Sequence, residues 1–498
     1  MTHILLVSFP AQGHINPTLQ LAKLLARRGV RATFVTATHA HLAISTAGIA
    51  ANNSSNNDNM NVHFAPISDG FEPATVDIFK PDYPQHLQEH GSRSLADLLL
   101  ALAAAGQPVD CVVYNFLLPW VADVASELGI PSALLWIQPV TLLAIYYHFL
   151  HQSPHLFLDL YKEIKVPGLP LSLNSDSLPS FLFPDNPFIL SLPLLNHMFQ
   201  GIKESKSRWV LVNSFESLEA ETLSSLKDLH ILPITVGPLV PAAYVSKKDH
   251  KDSSFGGDLV SEKRKDDGGT VIVDWLNTKP PASVVYVSFG SMATLTEAQI
   301  DEIAYGLIES GHYFIWVVRP PKDYGGFPSS FRDMFMDRGM VVKWCSQVEV
   351  LAHPSVGCFV THAGWNSTLE GLVCGKPMVC VPQWSDQPTN SEWISHVWRT
   401  GIRAQKSETG VLGREELKRC LKMVMEGESG EEMRKNAMAW REESRAAADE
   451  GGSSDRNIQD FICSIQSSHK EGEEEEEEEE EAAFQPLPSL ALQSPIST

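Results

Sequence analysis

Short apolar runs alternate with helical patterns through the first half of the chain. The run at 3–9, His-Ile-Leu-Leu-Val-Ser-Phe, is nearly continuous, as expected for a parallel strand covered on both faces. We expect Pro17 to open the helix that follows and Gly29 to end it. Further strands are predicted at 32–36, 62–66, 111–114 and 133–137, with helices around 86–104, 119–128 and 139–149. Repeated strand–helix units of this kind predict a doubly wound parallel sheet.

A second series of strands and helices begins after a charged, glycine-rich stretch. Its predicted strands lie at 284–289, 314–318, 341–344, 358–361 and 378–381, with a helix at 297–309 and helical character from 414 to 465. The fold class is therefore α/β, with two doubly wound, Rossmann-like domains. The predicted bounds are 1–243 for the first domain, 244–269 for a linker, 270–443 for the second domain, 444–466 for a helix that packs back on the first domain, and 467–498 for a disordered acidic tail.

Length and charge support this division and exclude some partners. A chain of 498 residues is too long for one core. Of the net charge of −22, ten negative charges lie between Glu471 and Glu481, and the acidic balance argues against nucleic acid and anionic membranes as partners. No stretch approaches the ~20 apolar residues of a spanning helix, and the first apolar run is too short for a signal peptide.

The seven cysteines show neither a CxxC pair nor a zinc spacing, so buried reduced thiols are expected and no metal site is predicted. We therefore expect a soluble, cytoplasmic protein that is a monomer, does not insert into membranes and holds no cofactor.

Two strand-to-helix turns carry candidate chemistry, because ligands of doubly wound sheets bind beyond the carboxyl ends of the strands. The first turn, Pro-Ala-Gln-Gly-His-Ile-Asn-Pro at 10–17, places His14 near a helix N-terminus, where the neutral imidazole is favoured and can act as a base. A single histidine after a strand is, on its own, more often a structural cap.

The second turn follows the predicted strand at 358–361. Asn366 and Ser367 lie where a helix begins, so free backbone N–H groups and a positive dipole end predict an anion site suited to a diphosphate. His362 adds a donor, and Glu370 can accept hydrogen bonds from ribose hydroxyls. Capping alone does not explain such a cluster. The sequence has neither a GxGxxG fingerprint nor a GxxxxGK[ST] loop, so NAD and ATP are poor candidates.

These segments resemble the signature of plant secondary-product glycosyltransferases of the UDP-glycosyltransferase superfamily. The matching pieces are Trp-Cys-Ser-Gln-Val-Glu-Val-Leu-Ala-His-Pro from 344, Phe-Val-Thr-His-Ala-Gly-Trp-Asn-Ser-Thr-Leu-Glu-Gly from 359, Val-Pro-Gln-Trp-Ser-Asp-Gln-Pro-Thr-Asn from 381, the turn at 10–17, and Val-Ser-Phe-Gly-Ser at 287–291. The resemblance covers roughly residues 3 to 465, and it implies the GT-B fold with its active site between two domains.

The resemblance also implies a role for each site residue. It implies that Trp344 stacks on uracil beside the Cys345 backbone and that Gln347 and Glu370 hold the ribose. The diphosphate would be bound by Ser291, His362, Asn366 and Ser367. The sugar would be contacted by Trp365, Asp386 and Gln387. UDP-glucose is the donor it favours. The implied mechanism is a single inverting displacement, in which His14 takes the acceptor proton and UDP leaves without help from a metal.

One position departs from the family pattern. Many relatives have an aspartate after the strand at 111–114, where it orients the histidine, but this chain has Asn115; Asp110 lies at the other end of the strand. An amide cannot offset imidazolium charge. The anthocyanin 5-O-, crocetin, abscisate and indole-acetate glucosyltransferases, which this chain resembles most in character, also lack that aspartate. A carboxylic acid acceptor, already ionised at neutral pH, would need little help from a base.

The expected acceptor is a hydroxyl or carboxyl group of a small hydrophobic plant metabolite: a flavonoid or anthocyanin, an apocarotenoid or a hormone acid. Two other functions stay open at this point. A non-catalytic UDP-sugar-binding protein would account for Asn115, and a nucleotide-sugar epimerase would need no hydrophobic acceptor pocket. The aromatic and apolar residues between 117 and 199 favour such a pocket, although most of them could be core.

Overall fold

The computed structural model describes residues 1–46, 62–73, 76–186, 188–245, 252, 268–319, 335 and 338–467. Most of the predicted linker at 244–269 and the tail at 468–498 therefore lie outside the described residues. No helix in the described ranges combines the length and the apolarity needed to cross a membrane.

Seven parallel strands form the first sheet, in the order β3-β2-β1-β4-β5-β6-β7. Its central strands are buried on both faces, which explains their continuous apolar sequence. The strands are β1 His3–Val7, β2 Arg31–Ala37, β3 Val62–Ile67, β4 Cys111–Asn115, β5 Ser132–Trp136, β6 Ser207–Val212 and β7 Pro233–Thr235. The helices of this half are α1 Gln12–Arg27, α2 Thr38–Thr46, α3 Tyr83–Ala104, α4 Trp120–Glu127, α5 Val140–Tyr147, α6 Ser191–Lys203, α7 Ala220–Asp228 and α8 Ala242–Val245.

The second sheet has six parallel strands, in the order β10-β9-β8-β11-β12-β13. The strands are β8 Val284–Ser288, β9 Tyr313–Val317, β10 Gly339–Val342, β11 Val356–Thr361, β12 Met378–Cys380 and β13 Gly401–Arg403. The helices are α9 Gly268–Asn277, α10 Glu297–Ser310, α11 Gln347–Ala352, α12 Trp365–Val373, α13 Gln387–Glu392, α14 Arg414–Met425, α15 Gly427–Ala448 and α16, residues 453–467. Two doubly wound, Rossmann-like sheets with helices confirm the predicted fold class.

Each sheet has one point where the strand order reverses, and the predicted site residues follow the strands there. In the first sheet β1 lies beside β4, so the His14 turn and Asn115 share one edge. In the second sheet β8 lies beside β11, so Ser291 and His362 share the corresponding edge. This is the position at which open parallel sheets bind ligands.

The first helix does not begin where the sequence predicted. It starts at Gln12 and contains Pro17. The helix tolerates this proline because another side chain supplies the hydrogen-bond donor that proline lacks. Pro17 has no N–H for the carbonyl of Gly13, and that oxygen instead accepts from Asn366 Nδ2 of the second domain at 2.8 Å. A tertiary contact thus replaces the helical bond.

The end of the chain returns to the first domain through α16. The predicted start of the last helix at 444 falls inside α15, which runs to Ala448, and the break comes at 449–452. From α16, Asn457 Nδ2 donates to the Thr235 carbonyl of β7 at 2.9 Å, and the ring of Phe461 packs edge-on against Trp209 of β6. The exact domain bounds stay a prediction.

Candidate active site

The two switch points face each other across a cleft. Besides the Asn366–Gly13 bond, the indole Nε1 of Trp365 donates to the carbonyl of Asn213 in the first domain at 2.7 Å. Both donors belong to the first turn of α12, so the helix end that was predicted to bind an anion also bonds to the first domain.

His14 lies on the first-domain side of this cleft, in the first turn of α1. Its ring is half-buried between Phe9 and Phe116, whose centroids lie 5.2 and 5.5 Å from that of the imidazole. Burial lowers the pKa of His14 to about 4, and the neighbouring Asn115 amide opposes part of this shift. The imidazole is therefore neutral at physiological pH and can accept a proton.

Asn115 lies beside His14 but is held by other groups. Its Oδ1 accepts from the backbone N–H of Phe9 at 3.1 Å, and its Nδ2 donates to Thr18 Oγ1 at 3.0 Å. Within the described residues, His14 Nδ1 meets no partner in hydrogen-bonding geometry. Asn115 thus braces the turn that carries His14 and leaves the ring without the carboxylate that would stabilise an imidazolium.

The residues predicted to bind the uracil and the ribose lie close together on the second domain. Trp344 lies beyond the end of β10, and 39% of its surface is exposed, which leaves the indole face open for stacking. Gln347 Nε2 donates to Glu370 at 2.8 Å and to Ser367 Oγ at 2.9 Å. Burial raises the pKa of Glu370 to about 7, although the hydrogen bond from Gln347 lowers it in part.

Cys345, also predicted to contact the base through its backbone, has a buried side chain whose Sγ lies 3.5 Å from the hydroxyl of Tyr286. Ser367 was predicted to bind the diphosphate; the structure bonds its hydroxyl to Gln347 and so also connects it to the ribose pair.

Of the predicted diphosphate residues, Asn366 and Ser367 lie in the first turn of α12, and His362 precedes it. Burial lowers the pKa of His362 to about 4, and its Nδ1 has no partner among the described residues. A Cβ on Gly290 would lie 2.8 Å from this imidazole, so only glycine, here at φ +77°, allows the β8 turn to approach it. The next residue, Ser291, has its carbonyl held by Arg319 at 3.1 Å.

The predicted sugar contacts lie at the start of α13 and beside α12. Asp386 Oδ2 accepts from the backbone N–H of Trp365 at 3.1 Å and from Asn390 Nδ2 at 2.6 Å. Burial raises the pKa of Asp386 to about 6. Gln387 Oε1 accepts from the backbone N–H groups of Gln383 and Trp384, so Nε2 remains to donate to a ligand.

The Trp365 indole is turned away from these groups. It is buried against Trp398, with ring centroids 6.0 Å apart, and bonded to Asn213, so its backbone N–H is the group that adjoins Asp386. The structure therefore collects the predicted residues at one cleft but makes the Trp365 side chain an anchor between domains.

Sequence reasoning missed two polar residues that adjoin the sugar-contact residues. Gln138 follows β5 at the same sheet edge as His14, donates to Ser385 Oγ at 3.3 Å and keeps its Oε1 without a partner among the described residues. Its place after a strand was a signal that could have been used. Ser180 lies in a short 3₁₀ turn within an irregular segment, where no sequence pattern indicated it.

A cavity of about 350 Å³ opens beside the His14 turn. Gln12 and His39 line it from the first domain, and Ser291 and Met292 line it from the second. Apolar side chains, among them Val76 and Phe79, complete the wall. Of the described residues, one group of three has spacing that would suit a metal ion, His86, Glu89 and His90 on α3; it includes no predicted site residue.

Comparisons with known proteins show which family the chain resembles. The family model described as UDP-glucoronosyl and UDP-glucosyl transferase matches residues 188–442, and a glycosyltransferase N-terminal domain model matches residues 2–152. A phloretin 4'-O-glucosyltransferase from Malus domestica is 44% identical over 93% of this chain and 97% of its own length. The crocetin glucosyltransferase, chloroplastic, of Gardenia jasminoides is 43% identical over 92% and 96%.

An anthocyanidin 3-O-glucoside 5-O-glucosyltransferase from Perilla frutescens is 40% identical over 92% of this chain and 98% of its own. Among solved structures, Os79 from O. sativa in complex with UDP superposes with a TM-score of 0.80 at 34% identity, covering 93% of this chain and all of that one. The same protein has been solved with U2F and trichothecene.

Proposed function

This chain belongs to the UDP-glucoronosyl and UDP-glucosyl transferase family and is a UDP-glucose-dependent glucosyltransferase of the GT-B fold, and from that premise we propose the reaction it performs. It moves glucose to a hydroxyl or carboxyl group of a small hydrophobic plant metabolite by a single inverting displacement. The observation that carries this proposal is the contact between the His14 turn and the first turn of α12, which brings a neutral base and an anion site to opposite sides of one cleft.

His14 acts as the general base. The acceptor oxygen gives its proton to the imidazole and attacks the anomeric carbon of glucose, while the bond from that carbon to the diphosphate breaks. The N-terminus of α12, with Asn366, Ser367, His362 and Ser291, stabilises the negative charge that develops on UDP. The step needs no cofactor, because fixed donors meet the charge where it forms.

The second domain binds the donor. Trp344 and the Cys345 backbone take the uracil, Gln347 and Glu370 the ribose, and Asp386 with Gln387 the glucose, while Trp365 contributes its backbone and holds the domains together. Each chemistry suits its partner: an indole face for a planar base, and carboxylate and amide groups for sugar hydroxyls.

Asn115 bears on the acceptor. Without a carboxylate beside the imidazole, an acidic acceptor has an advantage, because less charge accumulates on His14. The similar proteins are named for phloretin, crocetin and anthocyanidin glucosides, which include phenols and a carboxylic acid. We therefore propose flavonoid-like phenols and apocarotenoid or hormone acids as acceptors. The alternative of a non-catalytic UDP-sugar binder finds no support in the comparisons, and neither they nor the structure favour an epimerase.

We also propose that the protein works as a monomer in the cytoplasm. All seven cysteines are free thiols, six of them buried, which suits a reducing compartment. No nucleic acid or membrane partner is part of the proposal.

The test is incubation with UDP-glucose and a panel of phenols and carboxylic acids, with UDP release and product mass as the readouts. Treatment with alkaline hydroxylamine then separates esters, which it cleaves, from ethers. His14→Ala serves as the matched control for the phenols, with which it should transfer far less glucose than the unaltered chain. UDP-glucose binding without any acceptor-dependent product across the whole panel would contradict the proposed reaction.

A further inference from the structure

Ser385, the residue before Asp386, bonds to the first domain through its backbone and its side chain, and its side chain also hydrogen-bonds to Asp386. Ser385 has three hydrogen-bonding groups, and each meets a first-domain partner: its N–H donates to Ser180 Oγ at 2.7 Å, its carbonyl accepts from the Ser180 N–H at 2.9 Å, and its hydroxyl accepts from Gln138 Nε2 at 3.3 Å. A reciprocal pair of bonds of this kind fixes both the distance and the orientation of two backbone segments.

The backbone of Ser385 shows why such a hold matters. Its φ is +59°, the left-handed region that a residue with a side chain rarely adopts without support. This conformation turns the chain immediately before Asp386 and Gln387. If the bonds to Ser180 were lost, relaxation of Ser385 toward an ordinary conformation would shift both of the residues that follow it.

We propose that Ser180 is a positioning residue for the donor sugar: by holding Ser385 in its left-handed conformation from the first domain, it sets where Asp386 and Gln387 meet the glucose. The inference rests on the proposed role of Asp386 and Gln387 as glucose contacts. Ser180 bonds to Ser385 in the loop 381–386 that precedes α13, here called the donor loop, and this loop contains none of the residues proposed to bind the nucleotide. We therefore expect its effect on the sugar alone.

The segment around Ser180 also connects this contact to the aromatic residues near the cleft. Phe181, the next residue, stacks on Tyr146 of α5, with ring centroids 6.4 Å apart, and Phe188 meets Trp384 of the donor loop at 6.4 Å. Thr389 Oγ1 donates to the Ser177 carbonyl at 2.7 Å and gives the two loops a second connection. The loops would therefore stay docked when the Ser180 hydroxyl alone is removed.

The experiment measures the dissociation constants of UDP and UDP-glucose separately, by calorimetry on the full chain without acceptor. Ser180→Ala should weaken UDP-glucose about 3- to 10-fold, the value of one hydrogen bond, and leave UDP unchanged. Ser180→Thr, which keeps the hydroxyl, should restore UDP-glucose binding. Ser177→Ala is the matched control, because that hydroxyl bonds within its own turn to Asn174 and should leave both constants unchanged.

Three outcomes would overturn the inference: no effect of Ser180→Ala, an equal loss for UDP and UDP-glucose, or the same loss in Ser177→Ala. Asp386→Asn distinguishes this failure from failure of the proposed function. If Asp386→Asn weakens UDP-glucose but Ser180→Ala does not, only the positioning role is wrong. If Asp386→Asn has no effect on UDP-glucose, the assigned sugar contact itself is wrong, and the inference fails with it.

Discussion

Burial keeps His14 neutral and thereby suits it to accept a proton. Its pKa is lowered to about 4 by desolvation, so the base form predominates at every pH above that value. We expect His14→Ala to reduce transfer to phenolic acceptors ~10²–10⁴-fold, since it removes a general base, and to leave UDP binding nearly intact, because the nucleotide residues lie on the other domain. Initial rates and calorimetry with UDP check both halves of this prediction.

Unchanged turnover of His14→Ala with every phenol that the unaltered chain accepts would contradict its role as base. The lowered pKa adds a second check. Protonation of His14 inactivates only as pH falls toward 4, so between pH 8 and pH 6 this residue should contribute no loss of rate.

Glu370 titrates in a different range. Its pKa is raised to about 7 by burial, so the free protein gains the carboxylate as pH rises through 7. In its proposed role, the Glu370 carboxylate accepts hydrogen bonds from the ribose hydroxyls. UDP-glucose, which has no group titrating near 7, should therefore bind about 10-fold more weakly at pH 6 than at pH 8. Calorimetry across this range is the measurement, and Glu370→Gln, whose amide does not titrate, should give weaker binding and a flatter profile. An identical profile in that variant would assign the pH dependence to other groups.

At the scale of elements, the sequence predicted strands better than helix starts. The buried strands β1, β4 and β8 are continuous apolar runs, and a short run of this kind is typical of a parallel strand covered on both faces. The start of α1 was wrong because Pro17 normally marks a first turn, whereas here Asn366, distant in sequence, supplies the donor that proline lacks. Sequence patterns report local bonds, and this bond is not local.

The predicted site residues also divide into those fixed within one domain and those that depend on contacts between domains. The residues of the 344–387 segment could be predicted because they match a family signature whose spacing is fixed within one domain. The side-chain direction of Trp365 and the contacts of Ser385 could not, because both depend on Asn213, Gln138 and Ser180 across the cleft. Contacts between domains leave no periodic pattern in either segment.

Substitutions in helix α16 can test how the end of the chain packs on the first domain. Phe461 is 2% exposed and packs edge-on against Trp209, so Phe461→Ala leaves a cavity and should lower the free energy of unfolding by about 3–5 kcal/mol. Asp460→Ala, one position earlier on the exposed side, should change it by less than about 0.5 kcal/mol. Thermal and urea unfolding measure both variants. Equal stability of the two would show that α16 contributes little to the first domain.

For the whole molecule, the charged tail should matter little. Residues 468–498, which lie outside the described residues, contain nine consecutive glutamates at 473–481 and no apolar periodicity. Like charges repel, and the segment has little apolar surface to bury, so its removal should leave melting temperature and turnover almost unchanged. A melting temperature several degrees lower in the shortened chain would show that the tail packs on the domains.

We expect donor choice to depend on both domains, since the proposed glucose contacts Asp386 and Gln387 lie on the second domain, next to Ser385, which bonds to the first. Asp386 accepts from Trp365 and Asn390 through Oδ2, and in its proposed role the carboxylate also accepts from the 3- and 4-hydroxyls, which are both equatorial in glucose. Gln387 has Oε1 occupied and can only donate. Galactose differs from glucose only at the 4-hydroxyl, which points in another direction. One hydrogen bond is therefore not formed, which costs ~1–3 kcal/mol.

Glucuronate should be discriminated against more strongly, because its carboxylate would lie near the buried Asp386 and the Trp365 position offers no cation; an unpaired buried charge costs ~3–5 kcal/mol. We therefore expect kcat/KM to fall in the order UDP-glucose, UDP-galactose, UDP-glucuronate, measured by competition of the three donors for one acceptor. Gln387→His should move the ratio toward galactose, since the imidazole offers a donor in a different direction. A preference for galactose or glucuronate in the unaltered chain would mean that contacts other than Asp386 and Gln387 select the sugar.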